Sequence, residues 1–188
     1  MNVFHLDPDP RHAARLHCDK HVGKMLVETV QMLSTALVLS GGTAPYKPAF
    51  PNHPMNRWVR ETSANFAWTW DMADELAAEH RYRFDKAHAT QTALGTFGQD
   101  ALEALIGPGP PTPPPLCMED RCKVPNDPYA SYQRFYAEEK ARFARWTRRP
   151  VWGAGWRCDR GRGGPGGGGS GGPDSGGQPP WRWAPLAA

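Results

Sequence analysis

Long apolar runs are missing from this 188-residue chain. None approaches the roughly 18 residues that a membrane span requires, so no membrane segment is expected. The opening residues, MNVFHLDPDP, hold neither a basic region nor an apolar block. They lack the marks of a secretory signal, and a cytoplasmic location is the expectation. Cysteine is scarce, with only Cys18, Cys117, Cys122 and Cys158. Without a secretion signal these read as free thiols. Cys117 and Cys122 sit in a Pro-rich loop, more widely spaced than a usual zinc pair and with no second pair nearby. Apolar residues are also few: the hydrophobic share is 39% and mean hydropathy is -0.63. That shortage is local, because residues 153–188 hold 13 of the 20 glycines. The rest, about 150 residues with Trp, Phe, Leu and Met spread along them, suffices for a core. A global positive charge is lacking too. Of the net +3, residues 153–188 contribute +2 and residues 127–152 contribute +3, leaving -2 for everything before. Any nucleic-acid contact must come from local patches, mainly in the C-terminal third.

What is present is helical punctuation. Met1 to Leu6 alternates weakly, as one short strand would, without an obvious partner strand. Asp9-Pro10 reads as an N-cap followed by Pro at the first helical position, opening a helix to about Leu16. Asp19 is placed to cap a longer helix to about Leu39. Its apolar face is Val22, Leu26, Thr29, Leu33 and Leu37, widened by Met25, Met32 and Ala36, and Gly41-Gly42 ends it. Pro54 opens a third helix, expected to run to about Lys86, with Met55, Trp58, Val59, Thr62, Phe66, Ala73, Leu76 and Ala77 buried. His88 to Ile106 is a weaker helical stretch. Gly107 to Pro115 cannot be helical. Asp127-Pro128 repeats the cap signal for a last helix to about Arg148, stopped by Pro150. The fold expected is mainly α: a compact single-domain bundle of four or five helices over residues 1–152, followed by a disordered, low-complexity Gly-rich tail over 153–188.

Three clusters can carry chemistry. On the second helix His21, Lys24, Glu28, Gln31 and Thr35 recur every three or four residues as one polar stripe. His17 extends it if the helix is continuous there. The stripe reads either as a solvated face with a Lys24–Glu28 pair or as the wall of a site, where a carboxylate beside Lys, His and Gln suits acid–base work. His17 and His21 also have the spacing of a metal-binding helix, with His53, His80 or His88 as a third ligand. The second cluster is Asn52-His53-Pro54 with Arg57, Arg60, Glu61 and Asn65. It reads as helix capping with surface ion pairs, or as an anion contact at a helix N-terminus. In the third, Tyr132, Phe135, Tyr136, Phe143 and Trp146 form an apolar side. Arg142, Arg145, Arg148 and Arg149 then lie outside as a phosphate patch.

The ordered words DKHVGKMLVETVQML and NHPMNRW carry a resemblance. Over about residues 1–152 the chain resembles small phage and bacterial pyrimidine-dimer DNA glycosylases of the endonuclease V type. The resemblance implies a mostly helical single domain without a cofactor, acting on DNA as a glycosylase/lyase. In such enzymes an amine attacks the sugar C1′, forms a Schiff base and cleaves the strand by β-elimination. Glu28 matches the acidic position and Lys24 a basic position one turn before it. His17, His21, Gln31, Asn52, His53, Arg57, Arg60 and the Arg142–Arg149 group are the expected substrate contacts. The chain departs from the family at residue 2. Asn is too large for efficient Met removal, so the reacting amine is expected on Met1, with Lys20 or Lys24 as substitutes if desolvation lowers their basicity. The expected partner is DNA, bound by a monomer with no metal. A DNA- or RNA-binding protein without catalysis and a small His-based metal enzyme are the competing expectations.

Overall fold

A computed structural model describes residues 2–97 and 106–148. These fall within one compact unit, Met1–Pro150. The Gly-rich segment from residue 153, and Arg149 and Met1 among the expected site residues, lie outside the described residues. The architecture is mainly α. Six helices are described: α1 (Pro10–Leu16), α2 (Asp19–Leu39), α3 (Pro54–Val59), α4 (Ser63–Phe84), α5 (Thr90–Leu94) and α6 (Pro128–Glu139). Two 3₁₀ turns, Asp120–Cys122 and Ala141–Phe143, flank α6.

The helix starts follow side-chain capping. Asp9 accepts from the N–H groups of Arg11 and His12, and Asp127 from that of Ala130. Each cap satisfies backbone donors that the helix itself leaves unpaired. α1 stops at His17, whose Nδ1 donates to Ala13 O at 2.7 Å. The N-cap of α2 is therefore Cys18 rather than Asp19. Asp19 is instead the first helical residue, and its carboxylate accepts from Arg83 and from Thr147. At the other end Gly41 takes φ +86°. That left-handed turn lets Gly42 N donate back to Leu37 O at 2.9 Å.

α2 is the central element and packs chiefly on α4, which also carries α1. Val22, Met25, Leu26, Thr29, Met32, Leu33, Ala36 and Leu37 are all buried, as their spacing predicts. Phe66, Met72, Ala73, Leu76 and Ala77 of α4 meet them in the core. Each such Leu, Met or Phe contributes about 1.5–3 kcal/mol by leaving water. Among the described residues α2 is the one helix whose length and composition compare with a membrane span. Its best window reaches a mean hydropathy of 1.3, enough by length and composition to cross a membrane. Its apolar positions are those of a helix enclosed by α3, α4 and α5.

Four further expectations are revised. Residues 2–6 form no strand; they run through the core without regular structure, burying Val3, Phe4, His5 and Leu6. The third helix is two helices. Thr62 breaks it by capping α4, with its hydroxyl accepting from Asn65 N at 3.2 Å. The loop after residue 106 crosses this break closely: Ser63 N donates to Gly107 O. A Cβ on Gly109 would lie 2.8 Å from Thr62 Cγ2, so only glycine fits there. The helix expected from His88 is confined, among the described residues, to Thr90–Leu94. The last helix ends at Glu139 rather than Arg148. The chain turns at Lys140 so that Arg145 O and Thr147 reach the start of α2.

Candidate active site

The polar stripe of α2 divides at Gly23. Below it, His21 is buried beneath Phe4, Tyr136 and Phe143. Tyr136 Oη accepts from Cys18 N at 2.8 Å and shares a second hydrogen bond, also 2.8 Å long, with His21 Nδ1. Burial, with Lys140, Lys24 and Lys20 nearby, lowers the His21 pKa to about 4. His17 is wholly buried, stacked on Phe4, and burial brings its pKa to about 3. Neither histidine reaches a substrate surface, which corrects their expected role. They do not share a helix either, because α1 ends before α2 begins. Among the described residues no three His, Cys, Asp or Glu side chains gather as metal ligands.

Above Gly23 the stripe turns outward at Lys24 and is enclosed again by Thr35. The Lys24 side chain is 61% exposed and its Nζ lies 3.7 Å from Glu28 Oε1. Glu28 is more enclosed, at 19% exposure. Its second oxygen, Oε2, accepts from the backbone N–H of Asn2 at 2.7 Å. Asn2 is itself clamped: Nδ2 donates to Cys117 O at 3.0 Å, and Oδ1 accepts from Val3 N at 2.9 Å. Burial raises the Cys117 thiol above its usual pKa, so it is held protonated. His53 caps α3 through Nδ1, which accepts from Met55 N at 3.2 Å. Burial lowers its pKa while the Glu28 carboxylate opposes that shift, which places His53 within electrostatic reach of Glu28. Asn2, a largely enclosed carboxylate and an exposed ammonium thus meet at one place.

The other expected contacts are distributed around this centre. Gln31 Nε2 donates to Lys47 O. Arg60 Nη1 donates to Pro51 O at 2.7 Å and so holds the loop before α3. Asn52 and Arg57 are exposed. The break at Thr62 removes Asn65 from the expected Arg57–Glu61–Asn65 stripe; Asn65 is buried and donates to Trp58 O and Thr112 Oγ1. Arg142, Arg145 and Arg148 do not share a helical face, since α6 ends before them. Arg148 pairs with Asp85 and lies over Tyr82. Arg142 and Lys20 both lie against the Phe143 ring, at 5.4 and 4.7 Å from its centroid. They continue the basic edge of α2 beyond Lys24. Sequence reasoning missed Asn2 and Cys117 as site residues, because each acts through a backbone or loop position that no helical spacing marks.

No protein-family model, curated protein or solved structure matches the chain.

Proposed function

We propose that the chain is a DNA glycosylase/lyase that uses an amine nucleophile and Glu28. The observation that carries the reading is the 2.7 Å hydrogen bond from Asn2 N to Glu28 Oε2. Covalent geometry keeps the Met1 α-amine within about 4 Å of that nitrogen, whatever conformation Met1 adopts. An α-amine, with an ordinary pKa near 7.7–8.0, is far more often unprotonated at neutral pH than a lysine at about 10.4. The first residue is therefore the better nucleophile, and Lys24 serves as a cation beside the carboxylate.

The chemistry balances with these groups alone. The amine nitrogen bonds to C1′ as the glycosidic C–N bond breaks, and the damaged pyrimidine leaves with the electron pair. Glu28 takes the extra proton from the nitrogen. It returns that proton to O4′ as the C1′–O4′ bond opens, which leaves an iminium. Glu28, a carboxylate again, then takes a C2′ proton, which expels the 3′ phosphate oxygen and cuts the strand. Lys20, Lys24 and Arg142 supply an edge of positive charge for the phosphates.

Borohydride reduction in the presence of an abasic-site oligonucleotide tests the proposal. The expected result is a covalent protein–DNA adduct on the N-terminal peptide. DNA binding without any adduct would replace this reading with that of a non-catalytic DNA-binding protein.

A further inference from the structure

Phe50 is the most exposed large apolar side chain among the described residues, at 69%, and its backbone takes φ +48°. A bulky side chain in the left-handed region is uncommon and strained. Nothing in the loop's composition demands it, since glycine or asparagine would occupy the position more comfortably. The surroundings nevertheless fix this conformation from several sides. Asn56, fully buried, donates from Nδ2 to both Ala49 O and Phe50 O at 2.9 Å. His53 N donates to Phe50 O at 3.0 Å, and Ala49 N donates to Thr35 Oγ1 at 3.1 Å. Gln31 and Arg60 hold the carbonyls of Lys47 and Pro51 on either side. A fixed backbone thus displays an aromatic ring to water.

The segment that carries the ring has charge of one sign. Residues 40–60 contain Lys47, Arg57 and Arg60 and no Asp or Glu. The ring stands on the same side of α2 as Glu28, because Gln31 and Thr35, which anchor its loop, follow Glu28 on one helical stripe. Thr35 is seven residues beyond Glu28, about 10 Å along the helix axis. That is about three base steps along a nucleic-acid strand at 3.4 Å each. A protein partner would call for a broader apolar surface, and Phe50 is a lone ring in a cationic setting.

We infer that Phe50 is a stacking residue for an unpaired nucleobase, held in a strained backbone by Asn56 and flanked by phosphate-binding cations. This rests on the reading of the Glu28 site as one that acts on DNA. Stacking on the ring would favour DNA already opened near Glu28 and would stabilise the opened state.

The test uses the full chain and two duplex oligonucleotides, identical except that one carries a single unpaired 2-aminopurine. Wild type is expected to bind the unpaired duplex about tenfold more tightly, with quenching of the 2-aminopurine fluorescence. Phe50→Gly should abolish the preference and the quenching while leaving affinity for the paired duplex within about twofold. Phe50→Trp should retain both. Glycine accepts positive φ, so Phe50→Gly should melt no lower than wild type, and Phe50→Asn serves as a second variant that also tolerates this backbone. No preference in wild type, or an undiminished preference in Phe50→Gly and Phe50→Asn, would overturn the assignment. Borohydride trapping reads the other proposal separately. An adduct without the pairing preference removes Phe50 and keeps the lyase; a Phe50-dependent preference without an adduct does the reverse.

Discussion

The backbone N–H of Asn2 donates to Glu28 Oε2 across 26 residues of sequence. That bond binds the start of the chain to the middle of the central helix. Replacing Glu28 with Gln keeps a carbonyl oxygen able to accept from Asn2 and removes the charge. Borohydride trapping should fall at least about 100-fold, the range in which loss of a general acid–base group is felt. Stability should change by less than about 1 kcal/mol, read from urea unfolding. Trapping at the wild-type level in this variant would remove Glu28 from the chemistry.

Arg83 has no exposed surface, yet it is fully engaged. It donates to Glu79 at 2.7 Å, to Asp19 at 3.3 Å, and to the carbonyls of His17 and Arg15 at 2.6 and 2.9 Å. The last two are orphan acceptors of the α1 terminus, so one side chain closes the corner between α1 and α2 against α4. Arg83→Met should cost about 3–5 kcal/mol, because Glu79 would be left charged and buried. Adding Glu79→Met should recover part of that loss. Urea denaturation of the two variants checks the order.

Acid should unfold the protein partly through its core histidines. Burial lowers the pKa of both His5 and His17 to about 3, with each ring Nε2 buried and without a hydrogen bond. The unfolded chain binds protons near pH 6.5, before the folded one does. Their contribution is therefore complete above about pH 6.5 and is lost as pH falls toward 3, by about 1 kcal/mol per pH unit for each histidine at intermediate pH. Burial raises the carboxyls of Glu79, Asp7 and Asp71, whose contributions run the opposite way, lost as pH rises. His17→Asn keeps an N–H donor for Ala13 O and removes one titration. The difference in pH slope between it and wild type isolates the histidine, and equal slopes would refute the assignment.

The basic edge of α2 should set the salt dependence of DNA binding. Lys20 and Arg142 meet at the Phe143 ring and Lys24 follows one turn later. Lys20→Ala with Arg142→Ala should flatten the plot of log affinity against log salt by about two units, one for each lost phosphate contact. Arg148→Ala, which breaks a pair with Asp85, should leave that slope unchanged. Affinities measured across a salt series decide between the two sites.

The sequence makes the helices legible where short-range chemistry determines them. The Asp-Pro starts at residues 9 and 127, the Gly41-Gly42 stop and the buried face of α2 all depend on neighbours within four or five residues. The division of α3 from α4 is not legible in that way. Thr62 caps α4 from three residues away, but nothing in the apolar spacing marks it as a cap rather than a helical residue, and the Gly109 that passes beside it lies 47 positions away. The polar stripe of α2 is likewise visible as a pattern, but the pattern does not separate His21 from Glu28. What separates them is Phe4 and Tyr136, which cover one and leave the other open. Lys24 and Glu28 were nameable as a pair; Asn2 as their neighbour was not, because a segment without regular structure carries no periodicity.

Thr147 donates to Asp19 through both its N–H and its hydroxyl, 128 residues away in sequence. Asn2 meets α2 nine residues further on, at Glu28. The two clasps differ in when they can close. As the chain leaves the ribosome, the two partners of the Asn2–Glu28 bond emerge early, whereas the Cys117 carbonyl that clamps Asn2 and the Thr147–Asp19 contact come late. The basic edge that includes Arg142 is therefore assembled after the Glu28 centre. A nascent chain would carry Lys20, Lys24 and Glu28 on one helix before Arg142 arrives to complete that edge.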